Sequence, residues 1–220
     1  MSTQPFFPKW SDNLAKLLGG LIVGGLVYTV VLAILATSPR TNNVGYRPVQ
    51  PVPYSHELHA GKLGMDCRYC HINVELGANA TVPATQTCMT CHTGIRTVSE
   101  KLTPVRNSYS SGLPVEWVKV HDLPDFVYFN HSAHVSRGVG CATCHGRIDR
   151  MAEAGVEQQK LLTMGWCLEC HKNPVKYLRP VEEITNMSYY KTPAEQLEIG
   201  TKLKEQYNIN PSTDCSTCHR

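Results

Sequence analysis

All ten cysteines of this 220-residue chain fall into five Cys-x-x-Cys pairs: Cys67/Cys70, Cys88/Cys91, Cys141/Cys144, Cys167/Cys170 and Cys215/Cys218. A histidine follows each pair at once, at His71, His92, His145, His171 and His219. Cys-x-x-Cys-His is the attachment signature of a c-type haem: two thiols add to the porphyrin vinyl groups, and the adjacent histidine binds iron from the proximal side. Zinc knuckles share the cysteine spacing but do not require histidine as the next residue. With ten histidines in 220 residues, five such coincidences have a chance of roughly 10⁻⁷. No cysteine is left over for a disulfide or a nucleophile. The expectation is five covalently bound c-type haems.

That expectation changes how the totals are read. A domain enclosing five large macrocycles has little room for a core of its own side chains, so the cofactors themselves become most of the core. An aromatic content of 8%, with 16 Gly and 14 Pro, fits a chain of mostly α and irregular loops stapled by haem. The formal charge of +3 misleads in the same way. Each haem with ionised propionates adds about −1 when ferric and −2 when ferrous, bringing the loaded protein to roughly −2 to −7. No basic run supports a nucleic-acid partner.

The other five histidines are candidate distal ligands. His56 and His59 form a His-x-x-His pair just upstream of the first attachment motif, and His131 and His134 repeat that layout before the third. His121 is the fifth. One spare histidine per iron would give six-coordinate iron throughout. Methionine is the competing ligand and raises the potential of its haem; Met151, Met164 and Met187 are the candidates, with Met187 in the loop before the last motif preferred. No Ser/His/Asp arrangement, no phosphate loop and no lysine in place of a motif histidine points to an activated catalytic site, so no catalytic residue is assigned.

In chain order, residues 1–13 form a short N-terminal segment carrying Phe6, Phe7, Lys9 and Trp10. Residues 14–37 form a membrane anchor. Within it, the apolar stretch 14–36, broken only by Lys16, would make a helix of about 34 Å, enough to cross a bilayer core. The stretch is long for a cleaved leader, and Ala36-Thr37-Ser38 before Pro39 is a poor cleavage site. Arg40 and Arg47 after the helix balance Lys9 and Lys16 before it, so charge alone barely orients it. Haem attachment is extracytoplasmic, which places the N-terminus inside and the haem domain in the periplasm. Gly19-Gly20 and Gly24-Gly25 offer small residues for packing against other membrane helices. Residues 38–53 form a Pro/Asn/Gly-rich linker and residues 54–220 the haem domain. Within that domain a helical turn is expected over 86–92, helix formers weakened by Gly155 over 149–162, and a helix over 193–207 with Pro193 in its first turn. Residues 93–120 read as a haem-free connection suited to docking.

The combination of an N-terminal anchor, PVPYSHELHAGKLGMDCRYCH, WVKVHDLPDFVYFNHSAHV, MGWCLECHKNP and a terminal DCSTCHR resembles the pentahaem cytochrome c subunit of alternative complex III over residues 14–220. The resemblance implies an electron-transfer subunit of a bacterial quinol:acceptor oxidoreductase. Its partners would be polytopic quinone-binding subunits, an iron–sulfur subunit and another cytochrome c, with a soluble cytochrome or copper protein as acceptor. The His-x-x-His layout is also similar to class III multihaem cytochromes. By that similarity His56 pairs with His71 and His131 with His145, while His59 and His134 serve neighbouring haems. Two other readings stand beside it. One is a single-anchor multihaem quinol dehydrogenase, although Asn73, Gly94, Arg147 and Asn173 occupy the position of its usual methionine. The other is a multihaem reductase with one open iron.

Overall fold

The computed structural model describes Pro8, residues 10–38 and residues 43–220; Phe6, Phe7, Lys9 and Arg40 lie outside the described residues. Two compact units divide the chain, Met1–Asn43 and Val44–Arg220. The first holds one helix, α1 (Trp10–Thr37), long and apolar enough to cross a membrane. It starts upstream of the apolar stretch because Ser11 donates from both its amide and its hydroxyl to the Pro8 carbonyl, at 2.9 and 2.7 Å. Asp12 in the first turn suits the positive helix end. Farther along, the hydroxyls of Thr29 and Thr37 donate to the Leu26 and Ala33 carbonyls at 2.9 and 2.8 Å. Polar groups are thereby satisfied within the helix, as a hydrocarbon solvent demands. Gly19, Gly20, Gly24 and Gly25 have nothing within 4 Å of where a Cβ would stand.

The second unit consists of short helices and loops. Among the described residues it has no sheet, only the isolated bridges Val127–His219 and Val139–Leu178. Its helices are α2 (Cys67–Cys70), α3 (Thr85–His92), α4 (Thr103–Ser111), α5 (His131–Val135), α6 (Cys141–His145), α7 (Met164–Lys172), α8 (Pro193–Gln206) and α9 (Cys215–Cys218). A π-helical turn occupies Glu57–Lys62. Helix α8 has the strongest local signals: Thr192 caps it in a capping box with Glu195, and Pro193 opens its first turn. It crosses the chain at Val175 so closely that a Cβ on Gly200 would overlap the Val175 carbonyl oxygen.

Two regions depart from the sequence reading. The connection 93–120 contains α4, opened by Pro104 and closed by Gly112 at φ +74°. Residues 149–162 form no α-helix beyond a 3₁₀ turn at Ile148–Arg150. There Gly155 takes φ +94°, and Gln158 exchanges backbone hydrogen bonds with Gly45 and Tyr46 instead of with its own segment. Tertiary pairing with the linker overrides helix propensity.

The protein's own core is thin. Among the described residues, nine hydrophobic side chains are buried, in three clusters: Val52, Met89 and Val105; Val74, Val135 and Ile184; Leu178, Leu203 and Ile209. At about 1.5–3 kcal/mol for each, they offset little of the backbone entropy of a unit this size. Large apolar side chains beside the Cys-x-x-Cys-His motifs stay on the surface of the polypeptide, Ile72 66% and Leu76 80% exposed. Such a unit needs further apolar mass to be stable.

Candidate metal centres

Each Cys-x-x-Cys-His motif lies on a helical turn: α2, α6 and α9 are little more than the motif itself, and α3 and α7 carry theirs in the last turn. Helical spacing explains the motif, since residues i, i+3 and i+4 share one face and the two sulfurs and the imidazole point the same way. Asp66 caps α2 by accepting from the Arg68 amide at 2.8 Å. Bonding to Arg68 holds its carboxyl down at about 2.

The ten thiols differ in exposure. Cys91 and Cys215 are exposed on the polypeptide, whereas the other eight cysteines are partly buried. The reason at Cys91 is its place on α3. Met89 is buried against Val52 and Val105, and Cys88 packs on that cluster. Cys91 comes two residues after Met89, roughly 200° around the helix, so it turns away from the protein's own core. Its thiol is left for a cofactor to cover rather than a side chain.

Histidine orientation follows one rule. The Nδ1 atoms of His71, His92, His171 and His219 face the carbonyls of Thr81, Ile95, Ser212 and Phe126 at 2.6, 3.0, 2.6 and 3.3 Å. Those of His59, His131 and His134 face the carbonyls of Ser55, Ala78 and Asn130 at 2.9, 2.7 and 2.7 Å. A carbonyl only accepts, so Nδ1 carries the proton and Nε2 keeps its lone pair for a metal. Second-sphere bonds of this kind fix ring orientation and raise ligand basicity.

Three pairs of rings face each other at one separation. Ring centres are 6.2 Å apart for His59 and His92, 6.3 Å for His131 and His145, and 6.2 Å for His134 and His171. Two imidazoles bound on opposite sides of one metal through bonds of about 2.0–2.1 Å have ring centres roughly 6.2–6.4 Å apart. The residues therefore fit a six-coordinate haem iron, with the motif thiols beside it for attachment. Among the described residues no three His, Cys, Asp or Glu side chains converge as a metal cluster, whereas structural zinc takes four such ligands. His56 lies within electrostatic reach of His71: burial lowers its pKa to about 4, and His71 is the next cause. Burial likewise lowers His134, His121 and, to about 3, His145. Buried, neutral imidazoles are what iron ligation requires.

Tyr54 lies stacked on His59 at 4.5 Å and edge-on to His56 at 4.8 Å; Phe129 does the same to His134 and His131 at 4.5 and 4.8 Å. The chain thus repeats one module, aromatic-x-His-x-x-His followed by two Cys-x-x-Cys-His motifs, over 54–92 and 129–171. The aromatic at position −2 was readable from the sequence as a repeat, though not its stacking on histidine. The carbonyl acceptors of His59 and His134 lie four residues upstream and that of His92 three residues downstream, both local spacings; the others come from backbone 10 to 93 positions away, which leaves no sequence signal.

His121 is placed differently from the other spare histidines. Its ring meets His145 edge-on at 4.3 Å, with Nε2 3.3 Å from the His145 Nδ1. The remaining attachment histidine, His219, is held by backbone pairing of its segment with 127–128 and has no imidazole opposite it among the described residues. Met187 is half-buried in a turn, and Met164 is exposed at the start of α7.

Residues 127–220 match the family described as cytochrome c7 and related cytochrome c. The menaquinone reductase, multiheme cytochrome c subunit of Nitratidesulfovibrio vulgaris is 30% identical to this chain over 143 residues, which is 56% of this chain and 68% of the relative. The chain belongs to the family of these multihaem cytochrome c subunits. In this cytochrome, burial and then Cys88 raise the pKa of the Cys70 thiol, while hydrogen bonding to Cys141 and then burial raise that of Cys67. Burial followed by Cys170 pushes Cys144 up to about 12, and burial followed by Cys218 raises Cys167. Each attachment pair is thus within electrostatic reach of another. The neighbours so named are Cys88 for Cys70, Cys141 for Cys67, Cys170 for Cys144 and Cys218 for Cys167.

Proposed function

We propose that this cytochrome is the electron-relay subunit of a membrane quinone-linked oxidoreductase, with five c-type haems joined through its ten cysteines, the exposed Cys91 and Cys215 included, and a single membrane anchor. The observation that carries the reading is the repeated 6.2–6.3 Å separation of facing imidazoles. Iron held on both faces has no position for a substrate, which favours electron transfer over bond chemistry. When bound, the haems supply one-electron oxidation and reduction at neighbouring centres. The chain supplies the rest: His71, His92, His145, His171 and His219 as proximal ligands, and His56, His59, His131 and His134 opposite the first four. Backbone carbonyls hold most of these rings in place. For His219 the sixth ligand is of another type, and Met187 in the preceding loop is the choice, ahead of Met164.

The relative, a menaquinone reductase subunit, favours a quinone-reductase complex over alternative complex III as the setting. One helix cannot enclose a quinone pocket, so the quinone site lies mainly on a polytopic partner subunit. An iron–sulfur subunit, another cytochrome c and a soluble cytochrome or copper protein fit the remaining roles. Haem attachment orients the N-terminus inward and the haem domain to the periplasmic side.

Low-temperature EPR and near-infrared MCD on the purified five-haem protein test the reading. Five low-spin signals are expected, one with a methionine charge-transfer band. The parallel His131 and His145 planes, 6° apart, give a rhombic signal, and the crossed His59 and His92 planes, 65° apart, a strongly anisotropic one. A stoichiometric high-spin haem binding cyanide would return the multihaem-reductase reading. Full quinone turnover by the isolated subunit would sink the relay reading.

A further inference from the structure

His145 departs from the orientation rule. The Nδ1 atoms of His59, His71, His92, His131, His134, His171 and His219 meet main-chain carbonyls, but that of His145 meets the side chain of His121. Among these rings His145 is also the one whose pair, His131, lies parallel at 6°. His121 approaches edge-on, 81° from the His145 plane and 4.3 Å between centres. That is too short for two ligands across one metal, and it lies on the Nδ1 side of His145, which leaves Nε2 free of it.

We propose that His121 is a positioning residue for His145: its Nε2 accepts the Nδ1–H of His145 and thereby sets the orientation and basicity of that imidazole toward iron. The inference rests on the reading of His131 and His145 as one axial pair. An imidazole nitrogen is a more basic acceptor than an amide carbonyl, so the hydrogen bond gives His145 more imidazolate character. A more basic axial ligand stabilises ferric over ferrous iron, and axial-ligand tuning is a recognised lever on haem potential. A main-chain carbonyl cannot be removed by substitution. This acceptor can, and it makes the third motif's centre separately adjustable.

The test uses the full-length holoprotein carrying His121→Leu, which removes the acceptor, and His121→Gln, whose amide oxygen can replace it. Potentials are read by EPR-monitored redox titration at one fixed pH. In His121→Leu one low-spin haem out of five is expected to shift tenfold toward ferrous, a rise of about 59 mV for a one-electron couple, and His121→Gln is expected to recover at least half of that shift. Unchanged potentials in His121→Leu, or an equal shift of all five, would overturn the proposal. So would a new high-spin haem that binds cyanide, because His121 would then be an iron ligand. Should His121→Leu lose the haem altogether, His121→Gln decides: parental potential and retained low-spin signal support the proposal, and a full tenfold shift overturns it. Failure of the underlying pair shows up separately, as a His131→Ala protein in which every haem stays low-spin.

Discussion

The two modules, residues 54–92 and 129–171, carry the same motif but support it differently. In the first, the His-x-x-His pair enters a π-helical turn, Glu57–Lys62; in the second it lies in an α-helical turn, His131–Val135, capped by the Asn130 side chain accepting from the Ser132 amide at 3.0 Å. The attachment histidine of the first module, His71, leans on a backbone carbonyl, and its counterpart His145 leans on His121. The residue before the first cysteine differs too. Asp66 caps α2 with its carboxylate and accepts from the Thr185 hydroxyl at 3.1 Å. In the second module Gly140 stands there, bare, because the Arg179 guanidinium lies where a Cβ would be. Arg179 is 8% exposed, stacks on Tyr189 at 4.6 Å and donates to the Asn186 carbonyl at 3.1 Å. The second attachment pair of each module differs as well: Cys91 is exposed in the first, and its counterpart Cys170 is partly buried in the second. The 6.2 Å separation of His59 from His92 and of His134 from His171 is common to both, and the surroundings of the rings are not.

Ligand removal tests the common part and has the largest effect. His56→Ala and His131→Ala are each expected to convert one haem, and only one, to a high-spin form that binds cyanide. If either variant opened two haems, the two modules would share a ligand and the comparison would break.

Acid separates the modules next. Both His56 and His145 have folded-state pKa values below the ordinary 6.5, at about 4 and about 3, with burial as the first cause. The unfolded state therefore binds more protons between those limits, and stability falls as the pH drops through them. The contribution is complete above about 6.5 and lost towards about 4 for His56 and about 3 for His145. On acid titration followed in the Soret band, the first module is expected to release its low-spin signal at higher pH than the second. The reverse order would mean that burial is not what keeps these imidazoles neutral.

The residue before the first cysteine gives the smallest effects. Gly140→Ala forces a methyl against a buried guanidinium and is expected to cost about 1–3 kcal/mol by overpacking. Asp66→Ala loses a cap worth about 0.5–2 kcal/mol. Thermal unfolding of the two holoproteins should rank Gly140→Ala as the less stable, and equal melting temperatures would show Arg179 can move aside.

The helical turn at each Cys-x-x-Cys-His motif was legible because the motif's i, i+3, i+4 spacing is that of one helix face. The unequal exposure of the thiols was not, because the turn of α3 that carries Cys91 outward is set by Met89 packing into a cluster built from distant segments. The anchor was legible because a bilayer sets the length of the apolar stretch, and α1 differs from it only at its capped start. The class III similarity paired His131 with His145, whose rings do face each other, but left the neighbours of His59 and His134 unnamed; those are His92 and His171, 33 and 37 positions away. Helix α4 and the loop at 149–162 escaped composition alone, since one is held by Val105 packing on Met89 and the other by Gln158 pairing with the linker.

What the sequence determined by itself was the inventory: five Cys-x-x-Cys-His motifs, four further histidines in two matching pairs, and one apolar helix. These are local facts, written in residue type and spacing. What only the tertiary structure decided was who faces whom. The adjacency of Cys70 with Cys88 and of Cys67 with Cys141, the carbonyls of Thr81, Ala78, Ser212 and Phe126 behind four of the Nδ1 atoms, and the position of His121 behind His145 depend on contacts between segments apart in the sequence. Main-chain carbonyls are the same in every residue, so their placement leaves no mark in the sequence, and a histidine has the same letter whether it meets iron or another histidine.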